Sequence, residues 1–272
     1  MRPIIGTIKT IVPSALEPLA IGLWFRLRPL VRLVLSGQAH YCPVCGSRCW
    51  RFLAHGPPTK QRQNAVCPVC LSHERHRLAW LFLSPAGLLD RRPRTRLLHV
   101  APDTEFQRLF RSMDNIHYLS ADLNSPHAGE KVDITNAPYP DASFDAIICI
   151  HTLEHIPDDR AAMRELLRLL APGGWALIQV PLSTGPTFED PSVTNPAERE
   201  RLFWQHDHVR LYGLDIADRL EEAGFEVKVI PVAEIVPASE QERLGIDPLD
   251  AVFLCMKPSE SPAGNTTPIA SS

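Results

Sequence analysis

The run from Asp133 to Leu182, DITNAPYPDASFDAIICIHTLEHIPDDRAAMRELLRLLAPGGWALIQVPL, constrains this chain more than any other stretch. Asp145–Ile150 reads DAIICI, an apolar segment of the length of a buried parallel strand. It gives way at His151 to the polar HTLEHIPDD. Pro157, Asp158 and Asp159 suit a helix start, because proline fits a first turn and carboxylates favour the positive end of the helix dipole. Ala162, Met163, Leu166, Leu167 and Leu170 then recur at helical spacing, with Arg160, Arg164, Glu165 and Arg168 on the other side. Ala171-Pro172-Gly173-Gly174 ends the helix, and Trp175–Val180 is a second buried strand. The unit is strand, helix, strand, which requires parallel strands and a right-handed crossover.

Four ordered pieces of this run, DASFD, AIICI, HTLEHI and LAPGGWALIQVP, resemble the class I S-adenosylmethionine-dependent methyltransferases. That family shows an acidic residue, SFD, an apolar strand, a polar-LEH loop, a helix, and PGG before a strand. The resemblance extends from Arg96 to Lys257. It implies an α/β fold, a doubly wound, mostly parallel seven-stranded sheet of Rossmann-like type. It also implies an enzyme that takes S-adenosylmethionine as methyl donor.

The donor residues follow from the order of the strands. In an open α/β sheet the ligand lies at the carboxyl ends. After the first strand, Leu97–Val100, the family places a glycine-rich loop. This chain has Ala101-Pro102-Asp103-Thr104-Glu105 instead, with no Gly-x-Gly and one backbone donor removed by Pro102. Ala101 and Asp103 are the donor-loop candidates. Asp122 follows the second strand, Ile116–Ser120, where a carboxylate can take both ribose hydroxyls. Val132–Ile134 reads as the third strand, and the resemblance sets Asp133 and Ile134 against the adenine. His151, after the fourth strand, completes the edge.

Upstream lies YCPVCGSRCWRFLAHGPPTKQRQNAVCPVC. Cys42, Cys45, Cys67 and Cys70 form two CPVC knuckles, and four thiolates close a tetrahedral zinc site. Such a site has no open position, so a structural ion is expected, with Cys49 as a spare thiol nearby. A redox pair needs only one such knuckle. Arg75, His76 and Arg77 on the following helix suit either phosphate contact or an interdomain contact. The expected organisation is an N-terminal apolar, amphipathic segment (1–37), a zinc-ribbon-like module with its helix (38–84), the methyltransferase domain (95–257) and a disordered tail (258–272).

The N-terminal segment is too interrupted to span a bilayer, and it lacks a clean secretory cleavage site. Leu23, Leu27, Leu30, Val31 and Val34 share a helical face beside Arg26, Arg28 and Arg32. Packing on the body of the protein and peripheral membrane contact are both open; the expected location is cytoplasmic. A net charge of −3 shows no basic excess for nucleic acid. A small-molecule or glycan acceptor leads, with a ribosomal-RNA-type methyltransferase or a non-catalytic binding protein as alternatives. Methyl transfer needs positioning and a proton acceptor, and histidine suits the latter near neutral pH. His151 and His208 are the base candidates, with His155 and His206 beside them. The long connection after Pro181, with Phe188, Phe203, Trp204, Tyr212 and Arg210, is either an acceptor-binding lid or an anchored loop.

Overall fold

The computed structural model describes residues 17–56, 61–90 and 92–259. Residues 1–16 of the N-terminal segment and 260–272 of the tail lie outside the described residues. Helix α1 (Glu17–Val34) leads into two antiparallel hairpins, β1 (Ser36–Cys42) with β2 (Ser47–Cys49) and β3 (Leu53–His55) with β4 (Arg62–Val66). Helix α2 (Glu74–Leu83) follows. Then come β5 (Thr95–Val100), α3 (Thr104–Arg111), β6 (Ile116–Asp122), β7 (Glu130–Lys131), β8 (Phe144–Ile150), α4 (Asp159–Leu169) and β9 (Leu170–Gln179). A short ribbon, β10 (Phe188–Glu189) with β11 (Arg210–Leu211), brackets α5 (Pro196–Phe203). The chain closes with α6 (Ile216–Glu222), β12 (Glu226–Pro231), α7 (Val232–Ile235), α8 (Ala238–Leu244) and β13 (Ala251–Met256).

Seven strands form one sheet in the order β12-β13-β9-β8-β5-β6-β7. The neighbours from β9 to β7 are parallel, whereas β13 runs antiparallel to both β9 and β12. Side chains alternate between two cores. Leu98, Ile147, Cys149, Ala176 and Ile178 meet α4 and α6 on one face. Leu97, Ala146, Ile148, Trp175 and Leu177 meet α2 and α3 on the other. This period-2 division is what a doubly wound sheet covered on both faces requires. Cys149 and Cys255 are fully buried in the first core.

The third strand differs from expectation. It is the two-residue β7; Val132 N–H still donates to Asp122 O at 3.1 Å, and the chain turns from Asp133 onward, with Asn136 N–H on Asp133 O. Asp133 causes this: its Oδ1 accepts from the Thr135 N–H at 2.9 Å and the Thr135 hydroxyl at 2.7 Å, a side-chain turn that competes with the ladder.

The two N-terminal hairpins, the expected zinc-ribbon segment, are fastened to the sheet through α2. Leu78, Ala79 and Leu83 pack with Leu97 and Phe106. Arg77 is fully buried and donates to the carbonyls of Ser72 (2.9 Å), Ala65 (3.0 Å), Leu244 (2.6 Å) and Gly245 (2.6 Å). A buried guanidinium without such acceptors would be strongly destabilising. Gly245 is required for this contact. Its φ is +58°, and a Cβ there would stand 2.5 Å from the Asn64 carbonyl oxygen and 2.9 Å from Arg77 Nη2.

Candidate functional site

A cleft of about 630 Å³ opens along the carboxyl ends of β5, β6, β7 and β8. Ala101, Asp122, Asp133, Ile134 and His151 all line it. Ala101 and His151, the first residues past β5 and β8, have φ of +48° and +51°. Non-glycine residues pay on the order of 1–3 kcal/mol for such conformations, which gather at functional sites. Backbone bonds hold both, Ala101 N–H to Ala121 O at 2.9 Å and His151 N–H to Gln179 O at 2.8 Å. The chain thus makes its sharp turns at the sheet edge without glycine. Asp122 Oδ1 accepts from the backbone N–H groups of Asn124 and Ser125, so Oδ2 is the oxygen left for a ligand.

Asp103, expected in the donor loop, does not line this cleft. It caps α3, accepting from the Phe106 N–H at 3.3 Å, and its other oxygen lies 3.1 Å from His76 Nε2. The extended backbone of an N-cap (φ −91°, ψ 153°) turns the carboxylate back over the first helical turn. Burial pushes its pKa up to about 6, against the pull of Arg75. His76 therefore joins α2 to the cap of α3, and Arg77 is the structural clamp described above.

A second cavity, about 440 Å³, adjoins the first. His151 and His155 line both. Its remaining wall comes from distant segments, among them His55, Arg62, His73 and Arg75 of the hairpins and α2, Glu154, Trp204, Gln205 and His208, and Asp247, Leu249 and Asp250. The two acceptor-side segments are zipped together. Val209 N–H donates to Glu154 O at 2.9 Å. Arg210, 4% exposed, donates to the carbonyls of Leu153, Ile156 and Pro157 and pairs with Glu189 at 2.8 Å. Its charge serves the loop, not a ligand. Phe203 and Tyr212 are fully buried anchors, Trp204 lines the cavity, and exposed His206 lines neither space.

The histidines differ in what holds them. His208 lies in the second cavity only, with Nδ1 2.8 Å from the Phe203 carbonyl oxygen. Burial pushes its pKa down to about 4. His151 sits where the cavities meet, and burial holds it well below the usual histidine range, so it is a neutral acceptor at pH 7. The sequence reading missed Glu154, which is 1% exposed and inside the LEH triplet; Arg75, singled out beside His76 and Arg77, is the one of those three that lines a cavity.

The four expected metal cysteines converge. One sulfur from each of Cys42, Cys45, Cys67 and Cys70 lies within 4.8 Å of the others. Cys42 and Cys70 sulfurs are 3.6 Å apart, and those of Cys45 and Cys67 3.8 Å. These are not disulfides. A tetrahedral ion with bonds of about 2.3 Å sets its sulfurs roughly 3.8 Å apart. Cys49 is buried beside the four but is not among them.

A sheet of this order, with its cleft at the carboxyl edge, defines a domain of the S-adenosylmethionine-dependent methyltransferase class. The chain belongs to the methyltransferase-domain family, whose model matches residues 53–228. It is 41% identical over 60 residues to 27-O-demethylrifamycin SV methyltransferase of Amycolatopsis mediterranei, covering 22% of each chain. It is 31% identical over 98 residues to a probable S-adenosylmethionine-dependent methyltransferase of Mycolicibacterium smegmatis, covering 35% of this chain and 34% of that one. The O-methyltransferase cnsE of Penicillium expansum is 32% identical over 103 residues, 38% of this chain and 34% of that one. The matches thus span between 22% and 34% of these relatives' lengths. Among solved structures, the YcgJ protein of Bacillus subtilis is 18% identical, with 68% of this chain and 100% of that one covered at a TM-score of 0.46.

Proposed function

We propose that the protein transfers a methyl group from S-adenosylmethionine to a small-molecule or glycan acceptor, and that its four-cysteine ribbon holds a structural zinc ion. The observation that carries the reading is the shared wall: His151 lines both the cleft at the sheet edge and the cavity beside it. A donor in the first and an acceptor in the second would meet there.

The donor supplies a sulfonium methyl, an electrophile that reacts by in-line displacement. Ala101, Ile134 and Asp133 line its pocket, and Asp122 Oδ2 takes the ribose. The acceptor oxygen or nitrogen forms its bond to the methyl carbon as the carbon–sulfur bond breaks. Its proton passes to the neutral imidazole of His151. His208, tied to a carbonyl and lining only the second cavity, is the weaker base candidate. Zinc closes the ribbon and leaves no open position for chemistry. The test is calorimetry with S-adenosylhomocysteine, followed by a screen of hydroxyl- and amine-bearing acceptors. Absence of binding would sink the reading; binding without turnover on any acceptor would favour a non-catalytic binder.

Helix α1 carries a separate proposal, contact with an anionic membrane surface. Its inner face is docked, but not by the apolar stripe read from the sequence, of which only Val31 packs inward: Trp24 donates to Pro68 O at 3.1 Å, and Arg28 pairs with Glu105 at 3.4 Å. Its outer face still exposes Leu19, Leu23, Leu27, Leu30 and Leu33 beside Arg26 and Arg32. No helix among the described residues is long and apolar enough to cross a membrane. Sedimentation with phosphatidylglycerol vesicles, but not with phosphatidylcholine alone, is the expected result. Equal recovery in both supernatants would remove the proposal.

A further inference from the structure

We propose that Glu154, His155 and His208 form a second metal site, separate from the four cysteines, which takes one divalent transition-metal ion on the wall of the acceptor-side cavity. One donor atom from each of the three lies within 4.8 Å of the other two. Glu154 is 1% exposed, and neither of its carboxylate oxygens has a hydrogen-bond partner among the described residues. A buried carboxylate left this way is costly unless something pairs with it. His151 Nδ1 stands 3.7 Å from Glu154 Oε1, too far for a hydrogen bond. Arg75 attracts Glu154 across the cavity but makes no ion pair with it.

Each imidazole has its Nδ1 engaged by an oxygen, as metal-bound histidines have one ring nitrogen engaged. His208 Nδ1 points its proton at the Phe203 carbonyl oxygen, 2.8 Å away, which leaves the Nε2 lone pair free. His155 Nδ1 lies 3.2 Å from Asp207 Oδ2, the carboxylate–histidine pairing that fixes a ligand's tautomer. The rings stand edge to face with centroids 4.6 Å apart. The backbone beneath is held firmly, by the Val209–Glu154 bond and by Arg210 on the carbonyls of Leu153, Ile156 and Pro157. Two imidazoles and one carboxylate suit zinc, iron(II) or cobalt(II) better than magnesium or calcium, which prefer all-oxygen sets. Three protein ligands leave coordination positions open. The cavity is on that side, so an acceptor hydroxyl bound there would lose its proton more readily.

The site does not rest on the identity of the acceptor or on methyl transfer, so it is tested by metal alone. Untagged full-length protein is produced in zinc-depleted medium supplemented with cobalt(II), purified without chelator and desalted, and its metal content is measured. Two ions per chain are expected. Glu154→Gln, an isostere without charge, should hold one and keep the thiolate-to-cobalt absorption of the cysteine site. Asp207→Asn, which removes the carboxylate behind His155, should weaken the second ion by about 10–100-fold. Should Glu154→Gln fail to fold, as judged by circular dichroism, half-exposed His155→Ala serves in its place. Equal metal content in wild type and in the folded variant overturns the proposal, as does a second ion that shows only thiolate absorption.

Discussion

The two halves of the site are built from different material. The donor half is backbone. Its walls are the ends of consecutive strands, and its sharp turns are main-chain conformations at Ala101 and His151. The acceptor half is side chain. Histidines, arginines, carboxylates and Trp204 reach it from the ribbon, from α2, from the loop after β8, from the segment before β11 and from the turn before β13. A backbone pocket is inherited with the topology, so it serves whatever donor the fold carries. A side-chain pocket depends on every remote segment staying docked. On the function proposed above, the ribbon is then part of the acceptor wall, and the sheet would suffice for the donor.

The strongest way to break that contrast is to unfasten the ribbon. Cys67→Ser removes one of four thiols from a buried cluster. Structural zinc contributes on the order of 10 kcal/mol to a small module. The variant should lose its metal, become protease-sensitive within the ribbon and fall to background turnover, while S-adenosylhomocysteine affinity changes by no more than about threefold. Loss of donor binding together with turnover would show that the halves are one cooperative unit and end the contrast.

His151 sits on the boundary, and its substitution sharpens the division of labour. Asn tolerates the positive φ at this position better than alanine does. His151→Asn should therefore lower turnover by about 10²–10⁴-fold with donor affinity nearly unchanged. A rise in acceptor KM with intact kcat would instead mark a wall residue. On the donor side, Asp122→Ala should weaken S-adenosylhomocysteine by roughly 1.5–3 kcal/mol, the scale of a charge-assisted hydrogen bond. Unchanged affinity would assign the ribose to another group.

The same contrast explains what could be read from the chain before its structure. The donor half was legible because strand, helix and strand announce themselves by period. Asp145–Ile150 lies within Phe144–Ile150, and Asp122, Ile134 and His151 fall on one cleft. The acceptor half was not, because no local pattern joins His73 to Trp204 or Asp250. Charge was the poorest guide. Arg77 and Arg210 look like ligands for phosphate or sugar, but their partners are mostly backbone carbonyls, joined for Arg210 by Glu189, and carbonyl acceptors have no signature in a sequence. Glu154 stood in plain view inside LEH, yet only the packing of the loop shows that it is buried without a partner.

Asp103 gives the smallest expected change in function, and it separates cleft from packing most finely. It caps α3 and faces His76 and Arg75 of α2, His99 of β5, Tyr118 of β6 and Glu105 of its own helix. Since it lines neither cavity, Asp103→Asn should leave donor affinity within about twofold. Its stability should respond to pH instead. The folded pKa is raised from 3.8 to about 6 by burial. Below pH ~4 the carboxyl is protonated in both folded and unfolded chains, and its full contribution is present. As pH rises the unfolded chain ionises first, so that contribution is lost by about pH 6, an amount on the order of 3 kcal/mol. The buried histidines, His76 and His99 among them, have lowered pKa values and lose stability in the opposite direction, as pH falls below their ordinary value. Both proteins share those histidines, so subtracting the two Tm–pH curves leaves the Asp103 contribution together with its coupling to His76. Asn caps a helix as well as Asp does and cannot ionise. The variant should match wild type near pH 4 and equal or exceed it near pH 7. Parallel curves, or a weakened donor, would return Asp103 to the donor loop where the sequence had placed it.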